Sequence, residues 1–217
     1  FLVAGIVLDR RPRFPPSMPV PPVTILIAAY NEAEAIGDTL ESIFRQRYDA
    51  PIQVVVIDDG STDGTGLAVQ RLRRDSARPA SVTVELLTQP ANGGKATALN
   101  AGLARARHDV VVTTDADTWI FRDGLRSLVA NHVSSPRNTA ATAGTVLVRN
   151  SRTNAMTRLQ EWDYFQGIGV VKRIQSLFQG TLVAQGAFSA YDRAALAEIG
   201  GWEQTVGEDI VLTWALI

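Results

Sequence analysis

Apolar runs of strand length alternate with stretches of helical periodicity from residue 23 to residue 114. The runs are rich in Val and Ile and read VTILIAA (23–29), IQVVVID (52–58), VTVELL (82–87) and DVVVTT (109–114). Their near-continuous apolar content predicts strands buried on both faces, as in a parallel sheet. The stretches between them, EAIGDTLESIFRQ, GTGLAVQRLRRD and KATALNAGLARAR, carry apolar residues at helical spacing. This alternation predicts a doubly wound α/β layer.

The pattern after residue 120 is looser. The segment DGLRSLVANHV predicts a helix, AATAGTVLV (140–148) a further strand, and residues 153–179 one or two long amphipathic helices. The segment GAFSAYDRAALAEIGGW predicts a short strand, a helix over 192–199 and a Gly-Gly stop. We expect this second half to lie over one edge of the first.

Both ends of the sequence have unusual patterns. Residues 1–8 are all apolar or Gly and run into Asp9 and the arginines Arg10, Arg11 and Arg13. This stretch is shorter than the roughly 20 residues of a membrane span, so it is either the end of such a span or a short interfacial or packed helix. A proline-rich, extended linker follows up to residue 22. The final residues, EDIVLTWALI, carry no helix-stop signal, which predicts a domain truncated at its C-terminal end.

Composition excludes several kinds of site. The net charge of −1 gives no basic surplus, so we expect no nucleic-acid partner. The chain has no cysteine and therefore neither a disulfide nor a thiolate metal site. His108 and His132 do not have the spacing of metal ligands, and we interpret both as ordinary surface or core residues. A metal ion would need oxygen ligands, which favours Mg²⁺ or Mn²⁺.

Polar residues follow each of the four predicted strands, at the edge of the sheet where ligands bind in open α/β folds. A turn or a helix cap explains any one of these clusters, but the four together favour a binding site. The clusters are Tyr30–Asn31–Glu32, Asp58–Asp59–Gly60–Ser61, the NGGK segment with Lys95, and Asp115 with Asp117.

Asp115 and Asp117 form an acidic pair with no basic residue beside it in the sequence. In an extended segment, residues i and i+2 point the same way, so these carboxylates can converge on one ligand. A divalent cation between them would remove their repulsion and offer its other positions to phosphate oxygens. The pair therefore indicates a metal-bound diphosphate.

A P-loop is excluded because NGGKAT lacks its first Gly and has Ala96 in place of the Ser or Thr that would bind Mg²⁺. No G-x-G-x-x-G opens the first helix, which argues against a dinucleotide fold.

The order of the motifs resembles family 2 glycosyltransferases, which are inverting enzymes of the GT-A fold that use nucleotide sugars. The resemblance runs from about Val23 to the end of the chain. It is greatest to the membrane-embedded synthases of β-linked polysaccharide, the group of the poly-N-acetylglucosamine, cellulose and hyaluronan synthases. The motifs are AAYNE (28–32), IDDGSTDGT (57–65), NGGKATALNAGL (92–103), DAD (115–117), and VGED (206–209) after GGW.

The resemblance implies a donor site for a UDP-sugar. Ala28, Tyr30 and Glu32 would line the uridine pocket, and Asp59 would accept a hydrogen bond from the uracil N3–H. Lys95 would meet the diphosphate as a point charge. Asp115 would hold the ribose or the metal side, and Asp117 would be the metal ligand. A tyrosine packed in the core is the alternative for Tyr30.

The resemblance also implies an acceptor site. Asp209 would be the general base that deprotonates the acceptor hydroxyl, the alternative being a carboxylate that only stabilises a helix N-terminus. The other acceptor-side residues would be Gln185, Gly186, Ala187, Glu208 and Trp202, with Trp202 or Trp162 stacking on a sugar. This chain ends before the Q-x-x-R-W motif of the processive synthases.

By resemblance, the function is transfer of a sugar, N-acetylglucosamine, from a UDP-sugar to a growing β-linked polysaccharide. Residues 1–22 would then be the end of a membrane helix plus a linker, and residues 23–217 a GT-A catalytic domain with its acceptor side in the C-terminal helical portion. The catalytic domain would lie on the cytoplasmic side of the cell (inner) membrane. The alternatives are transfer of one sugar to a lipid carrier, giving a glycolipid, and a catalytically silent module that binds nucleotide sugars.

Overall fold

The computed structural model describes residues 18–75, 78–135, 139–146, 153, 155–164, 184 and 186–216. Within these residues a six-stranded sheet has the order β3-β2-β1-β4-β6-β5. The strands are β1 (Val23–Ala29), β2 (Ile52–Asp58), β3 (Val82–Thr88), β4 (Val110–Thr114), β5 (Ala141–Ala143) and β6 (Phe188–Asp192).

The first four strands are parallel, β6 is antiparallel to β4, and β5 is antiparallel to β6 and so runs in the same direction as β4. Strands β1 and β2 pair along their whole length, from Val23 opposite Ile52 to Ala29 opposite Asp58. On its other side β1 pairs with β4, while β6 pairs antiparallel with both β4 and β5. This arrangement confirms the predicted α/β class with a mostly parallel sheet flanked by helices. The second half extends the sheet beyond β4 in addition to packing on it, which the sequence pattern did not predict.

Within the described residues, helices lie between the parallel strands in the order that the sequence predicts, and further helices follow β4. They are α1 (Ile36–Phe44), α2 (Thr65–Asp75), α3 (Lys95–Leu103), α4 (Gly124–Ser134), α5 (Ala155–Tyr164), α6 (Arg193–Glu198) and α7 (Glu208–Ala215). Helix α3 lies close against the sheet, since a Cβ at Gly102 would come within 2.7 Å of Ile57 Cδ1. Among the described residues, no helix is both long and apolar enough to cross a bilayer.

The apolar core has one cluster on each face of the sheet. Ile25 and Val54 lie in the cluster that packs on α1 and α4, and Leu26 and Val55 lie in the cluster that packs on α3 and α7. Strands β1 and β2 are therefore buried on both faces, as predicted. The prediction was wrong for β3, an edge strand whose residues alternate between buried Val82 and Val84 and exposed Thr83.

Parts of several predictions fall outside the described residues. Strand β5 covers 141–143 of the predicted 140–148, and positions 147–148 are outside. Helix α5 covers 155–164 of the predicted 153–179, and positions 165–179 are likewise outside. The apolar stretch 1–8 and most of the linker up to residue 17 also lie outside the described residues.

Candidate active site

The polar clusters of the sequence meet at the carboxyl ends of the parallel strands. Strands β1 and β4 are neighbours, and the connection after β1 leads to β2 on one side while the connection after β4 leads to β5 and β6 on the other. A crevice forms at such a switch point and is the usual ligand site of open α/β sheets. The segment that follows β1 begins at Tyr30, and the segment that follows β4 begins at Asp115.

The loops after β1 and β2 are joined by side chains that bond to backbone. The Asn31 amide donates to Ser61 Oγ at 3.0 Å, and the Thr62 amide donates to Asn31 Oδ1 at 2.9 Å. Asn31 has a φ of 56°, a conformation that Asn tolerates better than most residues. The Glu32 amide donates to Thr65 Oγ1 at 2.8 Å, which fixes the backbone of Glu32 against the start of α2. This network sets the rim of the crevice on which Tyr30 lies.

Asp59 joins the end of β2 to the NGGK segment. Its two carboxylate oxygens accept hydrogen bonds from the amides of Gly93 and Gly94, each at 2.9 Å. The residue is 3% exposed, so the carboxylate is an organising group of the loop. Each carboxylate oxygen can accept more than one hydrogen bond, which leaves acceptor capacity for a ligand.

The DAD segment forms a turn, and the prediction of an extended conformation was wrong. The Thr118 amide donates to the Asp115 carbonyl, and the carbonyl of Ala116 accepts from Thr39 Oγ1 of α1 at 2.7 Å. The Thr39 bond holds the turn against the first helix. The Asp117 side chain is exposed at the crevice, while Asp115 is half-buried.

Four carboxyl groups share this part of the crevice. Partial burial and then the charges of Asp117, Asp63 and Asp115 raise the pKa of Glu32. Within the described residues, no three acidic or histidine side chains are close enough to hold a metal ion by themselves. An ion of the Mg²⁺ type fits the site in another way, because it takes one or two carboxylates and completes its shell with phosphate oxygens and water. The residues that would hold it are Asp115 and Asp117.

A basic residue does accompany the acidic pair, although the sequence places none next to it. Lys95 is the first residue of α3, and its Nζ lies 2.6 Å from Asp115 Oδ1. Burial alone would lower the pKa of Lys95, but its contact with Asp115 and the charges of Asp209 and Glu208 raise that pKa above the ordinary value. Lys95 therefore stays protonated among several carboxylates.

Asp209 lies in the first turn of α7 and reaches the same cluster. Its Oδ2 accepts from the Gly186 amide at 2.8 Å, and its Oδ1 is buried without a hydrogen-bond partner among the described residues. A Cβ at Gly186 would lie 2.5 Å from Asp209 Oδ2 and 2.9 Å from Lys95 Nζ, so only glycine fits between the two charged groups. Burial raises the pKa of Asp209, while Lys95 and the Gly186 amide lower it and the charges of Glu208 and Asp115 add to the rise. A carboxylate with a raised pKa and an oxygen free of other bonds has the properties of a general base.

The remaining predicted residues occupy different environments. Tyr30 is 47% exposed on the rim, which argues against the alternative of a tyrosine packed in the core. Ala28 is half-buried and packs on the second core cluster. Ala187 and Glu208 lie beside Gly186 and Asp209 respectively, and Gln185 is outside the described residues.

The stacking role assigned to Trp202 was wrong for this structure. Trp202 is 3% exposed and packs edge-on against Tyr191, with ring centroids 5.8 Å apart. A ring that is covered by protein offers no surface to a sugar, so Trp202 is a residue of the second core cluster. Trp162, the other candidate, is 60% exposed on α5.

Sequence reasoning missed Asn100, which bonds to the backbone of Trp202 from the middle of α3. The signal was present, because Asn is a weak helix former and its place inside KATALNAGL is unfavourable without a compensating contact. The hydrogen bonds of Asn31, Ser61 and Thr65 that join the loops after β1 and β2 were also missed. Turn chemistry in DDGSTDGT predicted a turn but not its partner loop.

The fold and the site together define an open α/β protein with a charged ligand crevice, lined by carboxylates and a lysine, at the switch point of its sheet. Residues 24–200 match the model of the family described as Glycosyl transferase family 2, and the chain belongs to that family. The recognition made from the motif order is thereby confirmed.

Similarity to individual proteins agrees with the family. The chain is 31% identical over 195 residues to a poly-beta-1,6-N-acetyl-D-glucosamine synthase of Staphylococcus aureus, covering 89% of this chain and 45% of that protein. It is similar to the structure of the mannosyltransferase PcManGT from Pyrobaculum calidifontis in complex with GDP-Man and Mn²⁺, with 29% identity and a TM-score of 0.72. That match covers 96% of this chain and 55% of the mannosyltransferase. The structure of S. aureus TarS 1-349 in complex with UDP-GlcNAc shares the fold, at 19% identity and a TM-score of 0.57 over 89% of this chain and 52% of that one.

Proposed function

We propose that this chain is the catalytic domain of an inverting glycosyltransferase that transfers N-acetylglucosamine from a UDP-sugar to a growing β-linked polysaccharide. The similarity to a poly-beta-1,6-N-acetyl-D-glucosamine synthase supports the sugar and the acceptor. The chain spans 45% of the length of that relative. We place the catalytic domain on the cytoplasmic side of the cell inner membrane, as the resemblance implies.

The observation that carries the proposal is the cluster of Asp209, Gly186, Lys95 and Asp115. It brings a carboxylate with a raised pKa next to a cation, at the edge of the crevice where the DAD turn and the NGGK segment meet. Transfer of a sugar requires a base for the acceptor and a positive field for the leaving diphosphate. The cluster contains both groups, which lie 2.5 Å (Asp209 Oδ2) and 2.9 Å (Lys95 Nζ) from the position that a Cβ at Gly186 would occupy.

In the proposed reaction, the Asp209 carboxylate takes the proton of the acceptor hydroxyl. The acceptor oxygen forms a bond to the anomeric carbon as the bond from that carbon to the diphosphate oxygen breaks, and the electron pair leaves with UDP. A single displacement from the opposite face converts an α-linked donor into a β-linked product. Lys95 donates to the diphosphate and stabilises the charge that develops there.

Asp115 and Asp117 would hold Mg²⁺ or Mn²⁺, which supplies electrostatic stabilisation of the leaving diphosphate when it is bound. The Mn²⁺ in the PcManGT complex supports the binding of a divalent ion by the present chain. Glu32 and the three carboxyl groups whose charges act on it support the same position, because their mutual repulsion is relieved by a cation. Lys95, now on Asp115, would shift toward the diphosphate when donor and metal bind together.

The base of the nucleotide is assigned to uracil through Asp59, with Tyr30, Ala28 and Glu32 around the uridine. The GDP-Man of the mannosyltransferase complex supports a second candidate, because a guanine also offers a ring N–H to a carboxylate. Competition between UDP and GDP for the donor site separates the two. We expect UDP to bind more tightly, and tighter binding of GDP would overturn the uracil assignment.

The acceptor side would be formed by Gly186, Ala187, Glu208 and Gln185. A lipid carrier that receives one sugar, giving a glycolipid, is the alternative acceptor, and a silent nucleotide-sugar-binding module is the alternative from another class. The decisive experiment supplies the full-length gene product in membranes with each UDP-sugar in turn, with Mg²⁺ or Mn²⁺. UDP release with polymer from UDP-N-acetylglucosamine is the expected result. A product with one added sugar would favour the lipid acceptor, and donor binding without UDP release would favour the silent module.

A further inference from the structure

Asn100 makes a double hydrogen bond to the backbone of one residue 102 positions further along the chain. Its Nδ2 donates to the Trp202 carbonyl at 2.8 Å, and its Oδ1 accepts from the Trp202 amide at 2.9 Å. The backbone N–H and C=O of Trp202 are thus both hydrogen-bonded to the side-chain amide of Asn100. Such a paired contact fixes position and orientation together, which a single hydrogen bond does not.

The contact leaves no room for a side chain at position 201. Gly201 has a φ of 83°, and a Cβ at that position would overlap Asn100 Oδ1. On the other side, the Trp202 ring is buried against Tyr191 of β6. The GGW segment is therefore held between helix α3 and the sheet, with Asn100 as its polar attachment.

Helix α3 also carries the donor-side lysine. Lys95 begins the helix, and Gly102 packs near its end against Ile57 of β2. The helix is thus one body that presents Lys95 to the diphosphate side and Asn100 to the GGW segment. An Asn in a helix interior is unfavourable relative to Ala, and the bonds to Trp202 offset that cost.

Asp209, the proposed general base, follows the GGW segment in the chain. Gln204 Nε2 donates to the Gly93 carbonyl at 2.7 Å, which adds a second attachment to the donor-side loop. Gly207, with a φ of 81°, then starts α7, and Asp209 follows in its first turn. The position of Asp209 relative to Lys95 therefore depends on where Trp202 is held.

We propose that Asn100 is a positioning residue for the transfer reaction: it sets the distance between Asp209 and the donor by fixing Trp202 to the helix that carries Lys95. The role rests on the proposed function of Asp209 as the general base. Asn100 touches neither donor nor acceptor in this role and acts through the GGW segment alone. Loss of the contact changes catalysis while the donor site stays intact.

Two substitutions break the contact from opposite sides in the full-length gene product. Asn100→Ala removes the side chain, and Gly201→Ala places a methyl group where Asn100 Oδ1 lies. Gln53→Ala is the control, because Gln53 also accepts from a backbone amide, that of Arg107, and donates to a backbone carbonyl, that of Arg105. Gln53 has additional side-chain bonds with Thr24 and Glu85, so its loss should cost at least as much stability as the loss of Asn100. Gln53 stands at the opposite end of β2 from the site, so its loss affects stability without touching the crevice.

The measurements are kcat for sugar transfer per folded molecule, the KM for donor, UDP affinity, and the ratio of donor hydrolysed by water to sugar transferred. We expect Asn100→Ala and Gly201→Ala to lower kcat by about 10- to 100-fold, the size of effect that a small misplacement of a reacting group has. Donor KM and UDP affinity stay near wild type, and the fraction of donor lost to hydrolysis rises. Gln53→Ala lowers the melting temperature and leaves kcat and that fraction unchanged.

Three results would overturn the role of Asn100. They are a wild-type kcat in both variants, an equal loss of UDP affinity and kcat, or the same loss of kcat in Gln53→Ala. Asp209→Asn is measured alongside to separate this role from the proposed function. If Asp209→Asn abolishes transfer while Asn100→Ala does not change it, only the positioning role fails. If Asp209→Asn transfers normally, the proposed function fails and the positioning role with it.

Discussion

Between Val23 and Asp117, the donor-side region, parallel strands of five to seven residues alternate with helices of nine to eleven residues. Residues 184–216, the acceptor-side region, contain instead an antiparallel strand of five residues and helices of six and eight residues. The donor-side loops are tied to one another by Asp59, Asn31 and Thr65. The acceptor-side region is attached to them through side chain–backbone bonds such as those of Asn100 and Gln204.

The two regions differ in the interactions that hold their functional groups in position. Long strands and helices that bury both faces of a sheet hold the donor groups through extensive apolar contact. Short elements bury less, so the position of Asp209 depends more on individual hydrogen bonds. We therefore expect substitutions of donor-side groups that face the crevice to change nucleotide and metal binding. Substitutions in the acceptor-side region, and of Asn100, which bonds to its Trp202, should change turnover.

The largest effect is expected for Asp209→Asn. The swap keeps size and removes basicity, so polymer formation should fall by at least about 100-fold, the low end for loss of a general base. Donor binding should be unchanged, because the base acts on the acceptor. The measurement is polymer formed per folded, UDP-competent molecule. Near-wild-type turnover would leave Asp209 as a helix N-terminal carboxylate, worth about 1 kcal/mol or less.

A smaller effect is expected for Asp117→Asn, on the donor side. UDP should bind weakly without a divalent ion, since the diphosphate faces the carboxylates near Glu32. With Mn²⁺ present, the variant should lose at least about tenfold in UDP affinity, which corresponds to about 1.4 kcal/mol. Calorimetry with and without Mn²⁺ is the measurement. Equal UDP affinity of the wild type in both buffers would remove the metal role from Asp115 and Asp117.

Much of the donor-side region was predictable because its signals are local. The bounds of β1 and β2 follow from continuous Val and Ile runs that end at turn residues. The strand ends then imply that Glu32, Asp59, Lys95 and Asp115 share one edge of the sheet. Their motif order was sufficient to recognise the family.

The acceptor-side region was less predictable because its arrangement depends on contacts that are distant in sequence. Nothing in FSAYD indicates that β6 pairs antiparallel with β4. The burial of Trp202 follows from Tyr191 and Asn100, which no local pattern connects to it. The same reason applies to Lys95 and Asp115, whose ion pair joins residues 20 positions apart.

Two buried threonines offer a matched comparison between the regions, with an expected loss of about 1 kcal/mol in unfolding free energy for each Thr→Val substitution. Thr39 donates to the Ala116 carbonyl inside the DAD turn. Thr213 accepts from the Ala184 amide at 2.8 Å and donates to the Asp209 carbonyl. We expect Thr39→Val to weaken Mn²⁺-dependent UDP binding and Thr213→Val to lower kcat.

Calorimetric UDP titration and transfer kinetics measure these two effects, and Ser at either position should restore the wild-type values. If both Val variants lose the same function to the same degree, it is wrong to assign nucleotide binding to the donor-side region and turnover to the acceptor-side region.

The smallest effect concerns the stability of Asp209→Asn as a function of pH. Because burial raises the pKa of Asp209 above its value in the unfolded chain, the folded state holds a proton more tightly than the unfolded state does. The contribution of Asp209 to stability is therefore fully present below the unfolded pKa and is lost as the pH rises through the folded pKa. At neutral pH the wild type carries a partly buried charge that the Asn variant lacks, so the variant should be the more stable of the two. Its advantage should shrink on acidification and vanish below the ordinary pKa of an aspartate, about 3.9. Urea unfolding of both proteins across this pH range is the measurement. A variant that is less stable than wild type at neutral pH would mean that the Lys95 and Gly186 contacts outweigh the burial of the carboxylate, and that Asp209 contributes to holding the acceptor-side region in place.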